Sequence, residues 1–162
     1  MVFNYWQILI GLLLAILVVY AAYRAAALSR SGALAAGILG WLVFGFGGVS
    51  WAIVLMGFFI SSSALSRLSK RRKQALDEKF SKGSTRDAAQ VLANGGIAGV
   101  FVAMHIFFPY AAWPWLAFAG SLAAANADTW ATELGVLSRK APLGLITWKR
   151  VERGTSGGVT FL

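Results

Sequence analysis

The chain is 162 residues long, 58% hydrophobic and 13% charged, with a mean hydropathy of +0.67 and a formal net charge of +9. That balance excludes a soluble globular domain, and because the Lys and Arg residues sit in short stretches between apolar runs, the charge follows the positive-inside pattern of a membrane protein and points away from nucleic acid. There is no cysteine, which excludes a disulfide framework, a thiolate metal site and a cysteine nucleophile.

Residues 1–20 are apolar and small residues follow, as in a secretory signal, but the first basic residue, Arg24, comes after the apolar core. A signal peptide carries its charge before that core, so the segment reads as a span that starts outside. This first span covers residues 5–23, long enough to cross ~30 Å of hydrocarbon at ~1.5 Å per residue, with Tyr5, Trp6, Tyr20 and Tyr23 at its interfaces. A basic stretch at 24–30 leads to a Gly- and Ala-rich second span at 32–46. The glycines at 45, 47 and 48 permit a tight turn, and a third span returns over 49–65.

Residues 66–87 carry eight basic residues against Asp77, Glu78 and Asp87 and read as a loop with a short surface helix. A fourth span follows at 88–108, ending at Pro109, and a fifth at 113–137. The next loop, 138–153, carries Arg139, Lys140, Lys149, Arg150 and Arg153 against Glu152. With the N-terminus outside, five crossings put all three basic stretches on the cytoplasmic side. The segment from Gly154 onward reads as the opening of another span. The expected fold is therefore all-α: a polytopic membrane helical bundle of five spans plus the start of a sixth, in a single integral-membrane domain over 1–162. Either the chain is C-terminally incomplete or neighbouring helices come from another copy in a homo-oligomer.

Six acidic residues exist, and two of them, Asp128 and Glu133, lie in the otherwise apolar fifth span. A carboxylate near a bilayer centre costs ~2.5–3.5 kcal/mol on insertion scales. Asn126, Thr129 and Thr132 accompany the pair. A hard cation such as Mg²⁺ wants carboxylate and amide oxygens, with substrate phosphates completing its shell; interhelical hydrogen bonding is the bland alternative. The five-residue spacing leaves the two carboxylates about 140° apart on a helix.

Gly154, Thr155, Ser156, Gly157 and Gly158 follow Lys149, Arg150 and Arg153, and a glycine-rich helix start presents backbone N–H groups to phosphate. Arg86, Gln90 and Asn94 fall at four-residue steps on one helix face at the entrance of the fourth span. His105, the only histidine, lies away from these clusters and reads as a packed or interfacial residue.

The run from Asn126 to Gly135, the later Lys149, Arg150 and Val151 with the residues from Gly154 to Thr160, and Arg86, Gln90, Val91, Asn94 and Gly95 together resemble the transmembrane-protein-19-like family, formerly a domain of unknown function, which includes phytyl-phosphate kinases. The resemblance implies a kinase that transfers a phosphoryl group from a nucleoside triphosphate, with CTP the expected donor, to a prenyl monophosphate. It implies Mg²⁺ on Asp128 and Glu133, supported by Asn126 and Thr129. Arg86, Lys149 and Arg150 would clamp phosphates, Gly154, Thr155, Ser156, Gly157 and Gly158 would cradle them, and Gln90 and Asn94 would orient nucleotide or acceptor. The prenyl tail would lie among membrane lipids, between spans lined by Ala and Gly, with its headgroup at the cytoplasmic surface. A lipid cytidylyltransferase and an ion- or proton-coupled transporter use overlapping ingredients and stand as alternatives.

Overall fold

The computed structural model describes residues 4–75, 85–138, 140–152, 155 and 157–160, with the side chains of 70–75, 136 and 137 left aside. The chain runs α1 (Tyr5–Arg24), α2 (Arg30–Leu42), a π-helical turn (Val43–Gly47), α3 (Val49–Ala75), α4 (Ala88–Phe107) and α5 (Trp113–Leu137), followed by two short strands, β1 (Leu143–Gly144) and β2 (Gly158–Val159). The structure divides into two compact units, the first comprising Met1–Ile60 and Thr85–Asn126 and the second Ser61–Ser84 and Ala127–Leu162.

Among the described residues, four helices are long and apolar enough to cross a membrane: Tyr5–Arg24, Arg30–Gly47, Val49–Ser69 and Ala88–Phe107. The fifth expected span, α5, is 25 residues long but does not join them, because Asn126, Asp128, Thr129, Thr132 and Glu133 dilute its apolar character. The expected start of a sixth span is likewise not a helix among the described residues. Gly157 adopts φ +79, a left-handed conformation that interrupts a right-handed helix, and the chain continues into β2. α3 runs on to Ala75, so the first part of the stretch read as a basic loop at 66–87 is helical, and residues 76–84 lie outside the described residues. The turn expected near Gly48 is present, with Gly48 at φ +87.

The first unit shows the inside-out arrangement of a membrane bundle. On α1 the buried residues are Gly11, Ala15 and Ala22, while Leu12, Leu13, Leu14, Ile16 and Leu17 are exposed. Hydrocarbon solvates leucine as well as protein does, so helices associate through small residues that let backbones approach closely. A Cβ placed on Gly11 would lie 2.5 Å from the Gly45 nitrogen, and one on Gly95 would lie 2.5 Å from Leu39 Cδ2. Leu39 of α2 also meets Gly99, one helical turn further along α4. A second packing centre gathers Val43, Trp51, Ala98, Val102, Phe118 and Leu122. The His105 ring lies against it, 4.9 Å from that of Trp51, as expected of a packed histidine.

Candidate functional site

Residues 85–87 join the starts of α2 and α4. The Arg86 N–H donates to Ala27 O and the Ser29 N–H donates to Arg86 O, both at 2.9 Å, so Arg86 forms a β-bridge with Leu28. A Cβ on Gly32 would come within 2.1 Å of Arg86 O, so glycine is what lets α2 start this close. Arg86 therefore precedes α4 instead of standing on its helical face as its spacing suggests. The cause is Asp87, which caps α4: its side chain accepts from the Gln90 N–H at 2.8 Å, and Gln90 Oε1 accepts from the Asp87 N–H at 3.2 Å. This reciprocal capping box satisfies two donors that a helix start leaves unpaired. It also employs the Gln90 carbonyl, leaving the amide NH₂ as that side chain's means of meeting a ligand.

Arg86, Gln90 and Asn94 nevertheless all line one pocket of the first unit. Its other walls are apolar, drawn from α1 (Ala15, Val18, Val19, Ala22), α2 and the turn after it, and α3 (Leu55, Met56, Phe58, Phe59). The Arg86 guanidinium carbon lies 5.6 Å from the centre of the Phe59 ring, a cation–π arrangement. A largely apolar pocket with a few polar groups in its lining is the usual form of a small-molecule site. Here the polar groups are one cation and two amides, suited to an anionic headgroup carrying an apolar tail.

The second unit holds the acidic motif. Glu133 is buried, 6% exposed. Its Oε1 accepts from Ser66 Oγ at 2.7 Å, and its Oε2 accepts from Ser69 Oγ. Ser62, Ser66 and Ser69 recur along α3 at helical spacing, and Ser62 and Ser69 are fully buried. That serine stripe in an apolar span was a legible sign of a buried polar partner, and sequence reasoning passed over it. Asp128, in contrast, is exposed, Thr129 is half-buried, and Asn126 ends the first unit.

Among the described residues no three His, Cys, Asp or Glu side chains gather as a metal cluster. Mg²⁺ retains several waters and asks for only one or two carboxylates besides phosphate oxygens, so the donors suit a substrate-borne ion better than a resident one. Asp128 is the accessible carboxylate. The Ser66 and Ser69 hydroxyls fix the orientation of Glu133 as outer partners of metal ligands do.

The C-terminal segment forms a small ribbon. β1 pairs antiparallel with β2, Leu143 opposite Val159 and Gly144 opposite Gly158, and Leu143 also bridges to Arg150. Lys149 and Arg150, both exposed, are thereby tied to the same β1 that pairs with Gly158. The helix start expected around the glycines is not what the described residues adopt. The Gly158 N–H donates to Thr155 O at 3.1 Å and the Thr155 N–H to Glu152 O at 3.2 Å, so these two amides serve the turn. Gly154 and Ser156, also expected in a phosphate cradle, lie outside the described residues.

Comparison with known proteins places this arrangement in a family. Residues 13–162 match the family described as "Integral membrane protein DUF92". The chain is 31% identical to Protein PGR of Arabidopsis thaliana over 96% of its own length and 58% of that protein's. It is 35% identical to an uncharacterized membrane protein of Methanocaldococcus jannaschii over 82% of this chain and 54% of the relative. An uncharacterized membrane protein of Synechocystis is 26% identical over 76% of this chain and 48% of its own. The chain thus spans about half the length of the curated relatives it matches. No solved structure matches it significantly. This protein belongs to the DUF92 integral membrane family, the family to which its Arg86, Asp128 and Gly154 motifs point.

Proposed function

We propose that the protein serves as a membrane prenyl-phosphate kinase. In this reading the γ-phosphoryl group of a nucleoside triphosphate, CTP foremost, passes to the phosphate of an isoprenoid monophosphate. A bond forms between an acceptor oxygen and the γ-phosphorus, the bond from that phosphorus to the β-bridging oxygen breaks, and a nucleoside diphosphate leaves. The observation that carries the reading is the apolar cavity with Arg86, Gln90 and Asn94 in its lining, in a family whose members are integral membrane proteins.

The acceptor phosphate is already ionised at neutral pH and needs no general base, so the residues' task is to overcome repulsion between two anions and to hold them in line. Arg86 is the cation suited to the acceptor phosphate, with the Gln90 NH₂ and the Asn94 amide orienting it. Lys149 and Arg150, with the Thr155 hydroxyl and the turn at Gly157 and Gly158, belong to the nucleotide's phosphates. Asp128, with Glu133 held by Ser66 and Ser69 and with Asn126 and Thr129 nearby in sequence, would receive Mg²⁺ brought with the nucleotide. When bound, the ion neutralises charge on the transferring phosphates. The positive-inside rule, applied to the basic stretches, supports the cytoplasmic side for this chemistry.

The test uses purified protein, farnesyl monophosphate, Mg²⁺ and CTP labelled either at the γ-phosphate or in cytidine. Label from the γ-position in a prenyl diphosphate supports the kinase. Cytidine label in the lipid makes the protein a cytidylyltransferase, and neither label in lipid removes the reading.

A further inference from the structure

The cavity in the first unit has a polar end and a closed end. Arg86 marks the polar end, beside Leu28 and the start of α2. From there the walls recede along α1 from Ala22 to Ala15, and along α2 from Ala36 through Gly40 to Phe44. From Ala36 to Phe44 this wall covers about 12 Å at ~1.5 Å per residue. At the far end the hypothetical Cβ of Gly40 would sit 3.4 Å from Ala15 Cβ and 3.8 Å from Phe44 Cε2. Just past that point α1 meets the π-helical turn backbone to backbone, with a Cβ on Gly11 only 2.8 Å from the Phe44 carbonyl carbon. A chain entering beside Arg86 can run between the helices only as far as this contact.

We infer that Gly40 and Phe44, seated against Ala15, set the length of isoprenoid tail that the protein accepts. The inference rests on the prenyl-phosphate reading for the identity of the ligand and goes beyond it in naming the residues that measure the tail. Its physical basis is the cost of a mismatched methylene in an apolar pocket, which changes affinity by tenfold or more in favourable cases. Adding one methyl at Gly40 shortens the closed end, and the contact distances leave room for it without moving backbone. Removing the Phe44 ring lengthens it.

The experiment measures displacement of a fluorescent farnesyl-monophosphate analogue from the purified protein in phosphatidylcholine nanodiscs by geranyl, farnesyl and geranylgeranyl monophosphate. Dioleoyl phosphatidic acid serves as a competitor with an anionic head and two acyl chains. Gly40→Ala is expected to shift the preference towards the shorter lipids by about tenfold, and Phe44→Ala towards the longest by a similar factor. If Phe44→Ala does not fold, Phe44→Leu carries the same direction. An unchanged order of affinity in both folded variants overturns the assignment, as does displacement by phosphatidic acid equal to that by the prenyl phosphates. A shifted order in a protein that transfers no γ-phosphate upholds these residues as the measure of the tail and removes the kinase reading alone. Failure of every prenyl phosphate to bind removes both.

Discussion

Ser66 Oγ donates to Glu133 Oε1 at 2.7 Å, tying α3 to α5 within the second unit, and Ser69 engages the other oxygen of the same carboxylate. A buried carboxylate is costly unless hydrogen-bonded, so the two serines are what let Glu133 occupy its position. Ser69→Ala is expected to lower stability by about 1–3 kcal/mol, the usual cost of leaving a buried polar group short of a partner. Ser66→Ala, at a half-buried site, is expected to cost less. Chemical unfolding in detergent reads both, and an unchanged midpoint for Ser69→Ala would show that this bond contributes nothing.

Close helix contact at glycine sets up a second comparison. A Cβ on Gly11 would collide with backbone atoms of Phe44 and Gly45, whereas one on Gly37 meets nothing within 4 Å. Gly11→Ala is expected to destabilise by about 1–3 kcal/mol through overpacking. Gly37→Ala is expected to be neutral or to stabilise by up to ~1 kcal/mol, because alanine is the better helix former. Equal thermal shifts for the two variants would mean that α1 and the π-helical turn are not packed this closely.

The Asp87 cap joins stability to function. Asp87→Ala removes the acceptor for the Gln90 N–H and is expected to cost about 1 kcal/mol, while Asp87→Asn, an equally good cap, should retain most of it. Since the capping box also holds the Gln90 side chain, Asp87→Ala is expected to weaken prenyl-phosphate binding more than Asp87→Asn does. A displacement titration on the two variants measures the difference.

Much of the bundle was legible because hydropathy reports insertion directly. Spans one to four, the Gly48 turn and the packed His105 all follow from apolar run length and from glycine placement. The polar second half of α5 misled, since Asp128 and Glu133 look alike in sequence, yet one is exposed and the other sealed by serines from α3. Nothing local to α5 distinguishes them; the difference comes from a partner 67 residues away in the chain. Arg86 misled in the opposite sense. Its four-residue spacing to Gln90 suggested a shared helix face, whereas the Asp87 cap stops the helix short of it and a β-bridge to Leu28 holds it at the cavity instead. The glycine-rich end resembled a helix start because Gly, Thr and Ser serve caps and turns alike, and the pairing with β1 decided the outcome.

Arg86 carries the charge expected to meet the acceptor phosphate. Arg86→Ala should reduce kcat/KM for a prenyl monophosphate by about 10–100-fold, the equivalent of a charge-assisted hydrogen bond. Arg86→Lys should recover part of that, since it keeps the charge and loses the planar fork. Its expected signature is a raised KM for the lipid with little change for the nucleotide.

A farnesyl-monophosphate analogue bearing a benzophenone at the tail terminus, irradiated with the purified protein and mapped by mass spectrometry, tests most directly whether the Arg86 cavity holds the lipid. Adducts are expected on its inner wall, at Val18, Val19, Leu55 or Met56, and should be lost on competition with unlabelled farnesyl monophosphate. Adducts confined to outward-facing residues such as Leu13 or Leu17, insensitive to the competitor, would contradict it.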